Sequence, residues 1–397
     1  MPKRKSNRFI HDGSKDGPIN VVIAKKGWRP TKMPKGVHFL DLRKQETASN
    51  TARPVRTTAL SRAVTPRVES LNVMTHGILI RSNGGPDVLE WAEAALPHPG
   101  PGEVRVRHTA IGVNFIDVYD RTGLYPMPLP GRLGREAAGI VETVGKGVRG
   151  LRVGDRVAYT STVPGSYVEA RNLPADRVVP LPDAISDEQA AAMMLKGMTA
   201  QYLLRRTYRV RRGDTILVHA AAGGVGLILV QWARHLGARV IAVVGSDAKA
   251  ELVRRYGAEE IIVTPREDLV TRVRELTRGE GVPVVYDSVG KDTFYPSLDC
   301  LRRLGVMVTY GNASGPVPPF SPLELSKRGS LFVTRPTLFH YIATRPELLR
   351  TAGDLFRVVA EGAVDIMIGQ RYALKEAAKA HEALEARQTV GSTILIP

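Results

Sequence analysis

Residues 215–226 read Thr-Ile-Leu-Val-His-Ala-Ala-Ala-Gly-Gly-Val-Gly, and this stretch decides the fold of the chain. Its first four residues are an apolar run typical of a buried strand, and large apolar residues then recur at helical spacing. A glycine turn between a strand and a helix N-terminus forms a cradle for a dinucleotide phosphate. We expect Gly223 to let the main chain approach the pyrophosphate and Gly226 to let the helix pack on the sheet, with Ala221 at the usual first glycine.

The residues after the second predicted strand, 239–244, indicate which dinucleotide is bound. An NAD site usually ends this strand with Asp or Glu, which accepts a hydrogen bond from the ribose 2′-hydroxyl. Here Gly245, Ser246 and Lys249 follow instead, and a small residue, a hydroxyl and a cation suit a 2′-phosphate. The sequence therefore favours NADPH over NADH. In the alternative, Lys249 is a solvated helix residue, and Asp247 is either a helix cap or a carboxylate that weakens the preference.

The composition fits a soluble, cytoplasmic enzyme. The chain has 397 residues, of which 43% are hydrophobic, so it can form two domains with ordinary cores. No apolar run is long enough to span a membrane. The single cysteine, Cys300, excludes an intrachain disulfide and indicates a reducing compartment. Because it lies in a helical pattern, we expect it to be a small buried hydrophobe.

The positive charge is concentrated in a leader, residues 1–73. This segment has 16 Lys and Arg against 5 Asp and Glu, a net of +11 out of +17 for the whole chain. Few large apolar residues and no clear periodicity predict that it is disordered. Three interpretations stay open: an extension without a role in activity, with Met74 as the functional start; a tail for nucleic acid or other polyanions; or a targeting segment, since residues 43–67 resemble a transit peptide.

After the leader, the pattern changes along the chain. Residues 103–182 carry short strand-like runs between glycine turns, which indicates a mainly β domain. Apolar runs then alternate with helical patterns up to residue 335, which predicts a doubly wound parallel sheet in an α/β fold. We expect the tail to pack back on the first domain.

The predicted domains are the leader 1–73, a catalytic domain 74–196 plus 337–397, and an inserted nucleotide-binding domain 197–336. Within the first part of the catalytic domain, the predicted strands are 103–113, 137–144, 155–159, 166–170 and 177–181.

Six further motifs accompany the glycine turn. They are AIGVNFID at 110–117, RTGLYP at 121–126, GREAAG at 134–139, LKGMT at 195–199, YDSVG at 286–290 and TRP at 334–336. With these motifs, residues 74–397 resemble the zinc-free, zeta-crystallin-like quinone oxidoreductases of the medium-chain dehydrogenase/reductase superfamily. The resemblance implies a GroES-like mainly β catalytic domain, an inserted Rossmann domain that binds NADPH, and a homodimer joined through residues 329–338, whose exposed strand edge invites pairing.

The resemblance also implies roles for individual residues. It places Asn114, Asp117 and Tyr119 against the nicotinamide half of the cofactor and Tyr125 on the substrate side. The other implied cofactor contacts are Thr199 with the carboxamide, Gly224 and Val225 with the pyrophosphate, Ser288 and Val289 beside the adenosine, Gly311, Asn312 and Ser314 at the nicotinamide ribose, Pro336, Thr337 and Leu338 near the nicotinamide, and Arg387 with the 2′-phosphate. Relatives often have a tyrosine where this chain has Thr264, which can donate a hydrogen bond but cannot stack. Asp117 could instead cap a turn, Tyr125 could anchor a loop, and Arg387 could be solvated.

A metal site is not expected. Zinc dehydrogenases of the superfamily use thiolates and an imidazole, and zinc requires such a tetrahedral ligand set. Asn114 and Arg135 stand at the positions that resemble the first Cys and the His, and one cysteine cannot form a four-cysteine site. Arg135 is a cation and repels a metal ion.

The reaction that this site suggests is reduction of an acceptor that is already electrophilic. Without a Lewis acid, hydride transfer from NADPH to a quinone needs only a donor for the resulting anion. We predict that Asn114, Tyr119 and Tyr125 are the catalytic donors. The close alternative is reduction of α,β-unsaturated carbonyls. The alternative of a different class is an RNA-binding or non-enzymatic crystallin-like protein, supported only by the basic leader.

Overall fold

The computed structural model describes residues 72–397, and the expectations for residues 1–71 lie outside this range. The strands are β1 (Val73–Leu79), β2 (Glu90–Leu96), β3 (Glu103–Val113), β4 (Glu136–Val144), β5 (Arg156–Thr160), β6 (Ala170–Pro174), β7 (Val179–Pro180), β8 (Thr215–Val218), β9 (Arg239–Val244), β10 (Glu260–Val263), β11 (Val282–Asp287), β12 (Leu301–Thr309), β13 (Phe332–Thr334), β14 (Ile368–Ala373) and β15 (Ser392–Ile396). The α-helices are α1 (Phe115–Thr122), α2 (Asp187–Tyr202), α3 (Gly224–His235), α4 (Asp247–Arg255), α5 (Leu269–Leu276), α6 (Phe294–Cys300), α7 (Leu323–Lys327), α8 (Leu338–Tyr341), α9 (Arg345–Ala360) and α10 (Ala377–Glu385).

A six-stranded parallel sheet contains the strand before the glycine turn. Its order is β10-β9-β8-β11-β12-β13, which is the Rossmann order with the first strand in the middle. The central strands are apolar on both faces because helices cover the sheet on both sides, and their side chains belong to two separate cores. The carboxyl ends of these strands therefore form one edge, where a ligand of an open α/β sheet binds.

A second, mixed sheet is built around the long strand β3. Its order is β14-β15-β3-β4-β5-β7, with β6 also paired to β3. Small residues of β4 lie against β3, and a Cβ on Gly139 would come within 2.0 Å of the Arg107 carbonyl oxygen. Together with the parallel sheet, this mainly β sheet confirms the GroES-like plus Rossmann α/β fold class.

Helix α2 contacts both parts of the fold. It packs on β3, β4 and β5 of the mixed sheet and on α3 of the parallel-sheet region. Ser186 caps it by accepting a hydrogen bond from the Gln189 amide at 3.1 Å. Twelve of its sixteen residues are buried, seven of them alanines and methionines, so the helix has no solvated face from Ala190 onward. We propose that the inserted domain begins near residue 197, within this shared helix, and ends near residue 336.

The tail returns to the first sheet. Strand β15 pairs antiparallel with β3, with Thr393 opposite Val113. Just before β15, the Gly391 amide donates to the Ala222 carbonyl at 2.9 Å, so the tail also contacts the glycine turn. This contact brings Arg387 to the cofactor side of the parallel sheet.

One strand prediction was wrong, and another was too long. Residues 166–169 are not a strand; the pairing with β3 is made by β6, which starts at Ala170. The apolar side chains Tyr167 and Val168 are buried in the core, whereas the more polar segment that follows provides the ladder of main-chain hydrogen bonds. The strand predicted over 177–181 contains only two strand residues, because Ala175–Arg177 form a 3-10 turn.

Cys300 is buried at the end of α6, as expected. Burial raises the pKa of its thiol to about 12, so the thiolate is not formed near neutral pH. Among the helices of residues 72–397, none is long and apolar enough to cross a membrane.

Candidate active site

The glycine turn has the geometry of a phosphate cradle. Gly223 is the N-cap of α3, and the first-turn amides of Gly224, Val225 and Gly226 have no carbonyl one turn earlier in the helix to bond. A Cβ on Gly226 would come within 2.3 Å of the Ala220 carbonyl oxygen, so only glycine allows this contact of helix and turn. The exposed amides and the positive end of the helix dipole suit a pyrophosphate.

The predicted 2′-phosphate residues lie together at the ends of β9 and β10. Ser246 caps α4 by accepting from the Lys249 amide at 3.4 Å, and Lys249 Nζ donates to the Arg387 carbonyl oxygen at 2.7 Å. Burial, and then the Arg387 charge, lower the pKa of Lys249. A Cβ on Gly245 would meet no atom within 4 Å, so the surface above the strand end is open. Thr264 is exposed and its hydroxyl donates to the Val244 carbonyl at 3.4 Å.

Asn114 is held by a buried ion pair. Its Nδ2 donates to Glu136 Oε1 at 2.8 Å, and the same oxygen accepts from Lys196 Nζ at 2.8 Å. The second Glu136 oxygen accepts from the Leu195 amide at 2.6 Å. The Asn114 side chain also belongs to the capping box at the start of α1, together with Asp117. Lys196 also lies against the cradle, because a Cβ on Gly224 would come within 2.6 Å of its Cδ.

Asp117 faces the interior. Its Oδ2 accepts from the Asn114 amide at 2.9 Å and from the Tyr167 hydroxyl at 3.0 Å, whereas Oδ1 is buried with no hydrogen-bond partner within residues 72–397. Burial, and then the nearby Asp120 carboxylate, raise its pKa to about 7. This position fits the interpretation of Asp117 as a turn cap; its contact with the cofactor stays a prediction.

A buried histidine supports Tyr167 from the other side. His381 Nδ1 accepts from Arg121 at 3.1 Å, so its proton lies on Nε2, 3.1 Å from the Tyr167 hydroxyl. Burial, and then the Arg121 charge, lower the pKa of His381 to about 3, so the imidazole is neutral. Arg121 in turn binds both carboxylate oxygens of Glu385 at 2.8 Å. These partners determine the direction of each hydrogen bond in the series: Arg121 donates to His381, His381 donates to Tyr167, and Tyr167 donates to Asp117.

Tyr119 and Tyr125 lie side by side where the first domain meets the parallel sheet. Their rings are edge to face, with centroids 5.3 Å apart. The Tyr119 oxygen accepts from the Asn312 amide at 2.8 Å, and the Tyr125 oxygen accepts from Arg335 at 3.2 Å. Burial raises the pKa of Tyr119 to about 12, so this phenol keeps its proton at neutral pH. The Asn312 side chain is satisfied when its nitrogen donates to the Gly311 carbonyl at 2.9 Å and its oxygen accepts from Arg335 at 3.0 Å.

The loops after β11 and β12 are bonded to each other. The Ser314 amide and hydroxyl both donate to the Val289 carbonyl, at 2.8 and 3.0 Å. A Cβ on Gly311 would come within 2.3 Å of the Ser288 carbonyl oxygen. The strand-end residues predicted to contact the ribose and adenosine therefore form one surface.

The other predicted cofactor residues lie on three separate elements. Thr199 is buried in α2, and Thr337 precedes α8, which begins at the buried Leu338. Pro336 directly follows Arg335, beyond the end of β13. The structure gives none of these four residues a contact that tests its assigned role.

Two cavities adjoin this surface. One, of about 320 Å³, is lined by Tyr119, Phe115 and Asn312, and the other, of about 560 Å³, by Asn312, Arg335 and apolar side chains such as Phe320. Asn312 belongs to both linings. The space is apolar with a few convergent polar groups, as in sites for small organic ligands.

The positions that resemble zinc ligands are used for other interactions. Arg135 forms a two-pronged ion pair with Asp120, at 2.8 and 2.7 Å, and Asn114 binds Glu136. Within residues 72–397, no group of three or more His, Cys, Asp and Glu side chains is arranged to hold a metal ion. A guanidinium bonded to a carboxylate offers no lone pair to a metal.

Comparisons with known proteins agree with this geometry. Residues 100–183 match the alcohol dehydrogenase GroES-like domain, and residues 224–357 match the family described as zinc-binding dehydrogenase. The chain is 54% identical over 325 residues to a quinone oxidoreductase of Pseudomonas aeruginosa, covering 82% of this chain and 100% of that protein. The chain belongs to the quinone oxidoreductase family of the medium-chain dehydrogenase/reductase superfamily.

Two further members of the family are informative. The chain is similar to the crystal structure of Escherichia coli quinone oxidoreductase complexed with NADPH, with a TM-score of 0.80 and 50% identity over 81% of this chain and 100% of that one. It is also 47% identical to a 2-haloacrylate reductase of a Burkholderia species, over 82% of this chain and 99% of that protein. The relatives of this chain therefore include one that is named for an acceptor other than a quinone.

The sequence reasoning assigned no role to several residues that hold this quinone oxidoreductase site together. Lys196 and Glu136 fix Asn114, Arg335 binds Tyr125, and Arg266 pairs with Asp247, next to the predicted 2′-phosphate residue Ser246. The sequence did contain a signal for Lys196 and Glu136. A lysine in an apolar helix and a glutamate in a strand of small residues are both expected to be buried, and a buried charge requires a partner. Arg266 carried no such signal, since a charged residue in an exposed turn is ordinary.

Proposed function

We propose that this protein is an NADPH-dependent quinone reductase that transfers hydride without a metal ion. The quinone oxidoreductase relatives, at about half identity over nearly their full length, support the reaction class. The observation that carries the proposal is the Tyr119 hydroxyl: its oxygen is occupied by the Asn312 amide, so its hydrogen is left to be donated. A fixed, neutral phenol of this kind stabilises an oxyanion that develops on an acceptor.

The residues present fit NADPH. The amides at the start of α3 suit the pyrophosphate, and Lys249 and Arg387 with the open surface at Gly245 suit the 2′-phosphate. The Asn114 side-chain oxygen belongs to the capping box of α1 and has a second lone pair, which suits a ribose hydroxyl or carboxamide N–H. When bound, NADPH supplies the hydride. The remaining predicted contacts, including Thr199, Ser288, Val289 and residues 336–338, are part of this proposal.

The side chains of the protein contribute by orienting the acceptor and by donating hydrogen bonds to it. Tyr119 donates to the acceptor oxygen that becomes negative, and Tyr125, held by Arg335, lies beside it as the second phenol. A quinone needs no activation of a leaving proton, so a Lewis acid is not required at this place. Arg135, where a zinc ligand could stand, is bonded to Asp120 and orients α1 instead.

The alternative acceptor is an α,β-unsaturated carbonyl. Its support is the 2-haloacrylate reductase relative. The same two phenols would stabilise an enolate oxygen. The rate of NADPH oxidation with a quinone and with an enone distinguishes the two acceptors.

The test is NADPH oxidation by the purified protein with 9,10-phenanthrenequinone and, separately, with an enone. We expect turnover with the quinone, and Tyr119→Phe should lower kcat by about 100-fold, the cost of removing one oxyanion donor. Because Tyr119 is also expected against the nicotinamide, the Kd for NADPH should rise by a much smaller factor than kcat falls. Tyr295→Phe, an exposed tyrosine on α6, is the matched control. Absence of turnover with both acceptors would reject the enzyme; full activity of Tyr119→Phe would reject this donor.

We also propose a cytoplasmic homodimer. The buried, unreactive Cys300 is compatible with a reducing compartment. In the described part of the chain, β13 hydrogen-bonds only to β12, and Phe332 on this edge strand is 59% exposed. An apolar side chain on an unpaired edge favours pairing with a second copy.

A further inference from the structure

An ion pair lies at the carboxyl ends of β9 and β10, beside the predicted 2′-phosphate residues. Arg266 Nη2 is 2.9 Å from Asp247 Oδ1, and the two side chains are 59% and 70% exposed. Asp247 is the first residue of α4, directly after Ser246. Arg266 follows β10, and its amide donates to the Val263 carbonyl at 2.9 Å, which fixes the turn. The two charges therefore approach from neighbouring strand ends.

The charges around this pair are unbalanced. Lys249 and Arg387 lie on one side, joined by the hydrogen bond from Nζ to the main chain, and Arg266 adds a third cation. Of the two carboxylates nearby, Asp247 pairs with Arg266 and Glu267 pairs with Arg272. The Thr264 hydroxyl is held by the Val244 carbonyl. This cluster suits a dianionic phosphate group.

Asp247 alone would work against such a ligand. A carboxylate at the end of the second Rossmann strand accepts from a ribose 2′-hydroxyl and repels a 2′-phosphate. The ion pair with Arg266 neutralises this carboxylate. The pair uses only Nη2 of Arg266, and a guanidinium has five N–H donors. The arginine can therefore keep its contact with Asp247 and offer two parallel hydrogen bonds to a phosphate.

We propose that Arg266 determines the preference of this protein for NADPH over NADH: it masks Asp247 in the free protein and binds the 2′-phosphate of the bound cofactor. The inference rests on the proposed function, since it assigns a residue to the cofactor site of that reaction. In this proposal Asp247 opposes a 2′-phosphate, and Arg266 both neutralises Asp247 and attracts the phosphate.

The experiment is a fluorescence titration of the full chain with NADPH and with NADH. Arg266→Ala should raise the Kd for NADPH about tenfold, as expected for a lost charged hydrogen bond. The Kd for NADH should fall by up to about twofold, because the freed Asp247 carboxylate can accept from the ribose 2′-hydroxyl and an exposed ion pair is weak. Arg254→Ala is the matched control, because Arg254 pairs with Glu251 on the same helix, α4, with similar exposure of 60% and 64%. It removes the same charge at the other end of that helix and should change neither Kd.

Two further measurements separate masking from direct contact. Asp247→Asn should weaken NADH binding, and added to Arg266→Ala it should restore part of the NADPH affinity, since the unmasked carboxylate is gone. Adenosine 2′,5′-bisphosphate carries the 2′-phosphate and should bind Arg266→Ala more weakly than the wild type, as NADPH does. The affinity for 5′-AMP, which lacks this phosphate, should be the same in both proteins.

The inference is overturned if Arg266→Ala keeps the wild-type ratio of the two Kd values, as Arg254→Ala does, while the wild-type chain prefers NADPH and reduces quinone. If the wild-type chain shows no preference for NADPH, the inference and the cofactor assignment both fail. Quinone turnover of the wild-type chain with either cofactor would still support the reductase.

Discussion

At the scale of single residues, the site depends on polar side chains whose partners are buried. Asn114 is fixed by Glu136 and Lys196, and Tyr119 is fixed by the Asn312 amide. Each of these interactions joins segments that are distant in sequence. A buried charge that lost its partner would be strongly destabilising, so these residues preserve the orientation of the site as well as its chemistry.

The buried carboxyl of Asp117 predicts a pH dependence of stability. Its pKa in the folded protein is about 7, raised mainly by burial, whereas an unfolded aspartate titrates near ~3.9. Between these values the folded protein holds a proton that the unfolded chain has lost, so the free energy of unfolding falls as the pH rises toward 7. From pH 5 to pH 8 this loss is about 2–3 kcal/mol.

The Asp117→Asn variant should lack this loss. An asparagine oxygen can accept from the Asn114 amide and the Tyr167 hydroxyl, and its nitrogen takes the place of Oδ1, which has no partner among residues 72–397. Urea unfolding at the two pH values measures the difference, with the exposed Asp183→Asn as control. The same decrease in wild type and Asp117→Asn would contradict the assigned titration.

At the scale of elements, the cofactor surface is a set of strand ends and one helix start. The loops after β11 and β12 are hydrogen-bonded together, and the turn before α3 is packed so closely that glycine is required at 226. These contacts position the amides of α3 at the edge of the sheet, where the dinucleotide site is proposed.

Gly226→Ala should therefore damage the cradle. Its Cβ would lie 2.3 Å from the Ala220 oxygen and 2.7 Å from the Ala221 Cα, both main-chain atoms, so α3 must shift. We expect a loss of stability of about 1–3 kcal/mol and an NADPH affinity at least about tenfold weaker. Gly353→Ala in α9, where a Cβ meets nothing within 4 Å, should bind NADPH normally and be slightly more stable. Equal NADPH affinity in the two variants would exclude a tight cradle.

At the scale of the whole molecule, the tail unites the two sheets. It adds β14 and β15 to the sheet of the first domain, and on its way it touches the glycine turn through Gly391. The Arg387 carbonyl therefore reaches Lys249, one of the predicted 2′-phosphate residues, although Arg387 follows the parallel sheet by about fifty residues in sequence.

The proposed dimer makes a prediction at this scale. Phe332→Asp places a charge on the edge strand β13, and charges on an edge oppose pairing. We expect sedimentation velocity at micromolar concentration to show a dimer for the wild type and a monomer for this variant. Val153→Asp, an exposed valine in the first domain, should remain a dimer. A monomeric wild type, or a dimer that tolerates Phe332→Asp, would contradict the proposed interface.

The sequence predicted most of the fold because its signals are local. An apolar run followed by a glycine turn specifies a strand and a helix start, and two strands, β3 and β9, have the predicted bounds. Where the prediction was wrong, at residues 166–170, the apolar side chains were buried in a loop, and tertiary packing rather than alternation determined which residues pair.

By itself, the sequence determined the fold class, the glycine cradle and the motifs by which this chain resembles quinone oxidoreductases. Only the tertiary structure decided which charges meet: Lys196 with Glu136 and Asn114, Arg335 with Tyr125, Lys249 with the Arg387 carbonyl, and Arg266 with Asp247. The physical reason is that strand and helix periodicity are encoded by near neighbours, whereas ion pairs form between strand ends and loops that only the folded sheets bring within hydrogen-bond distance.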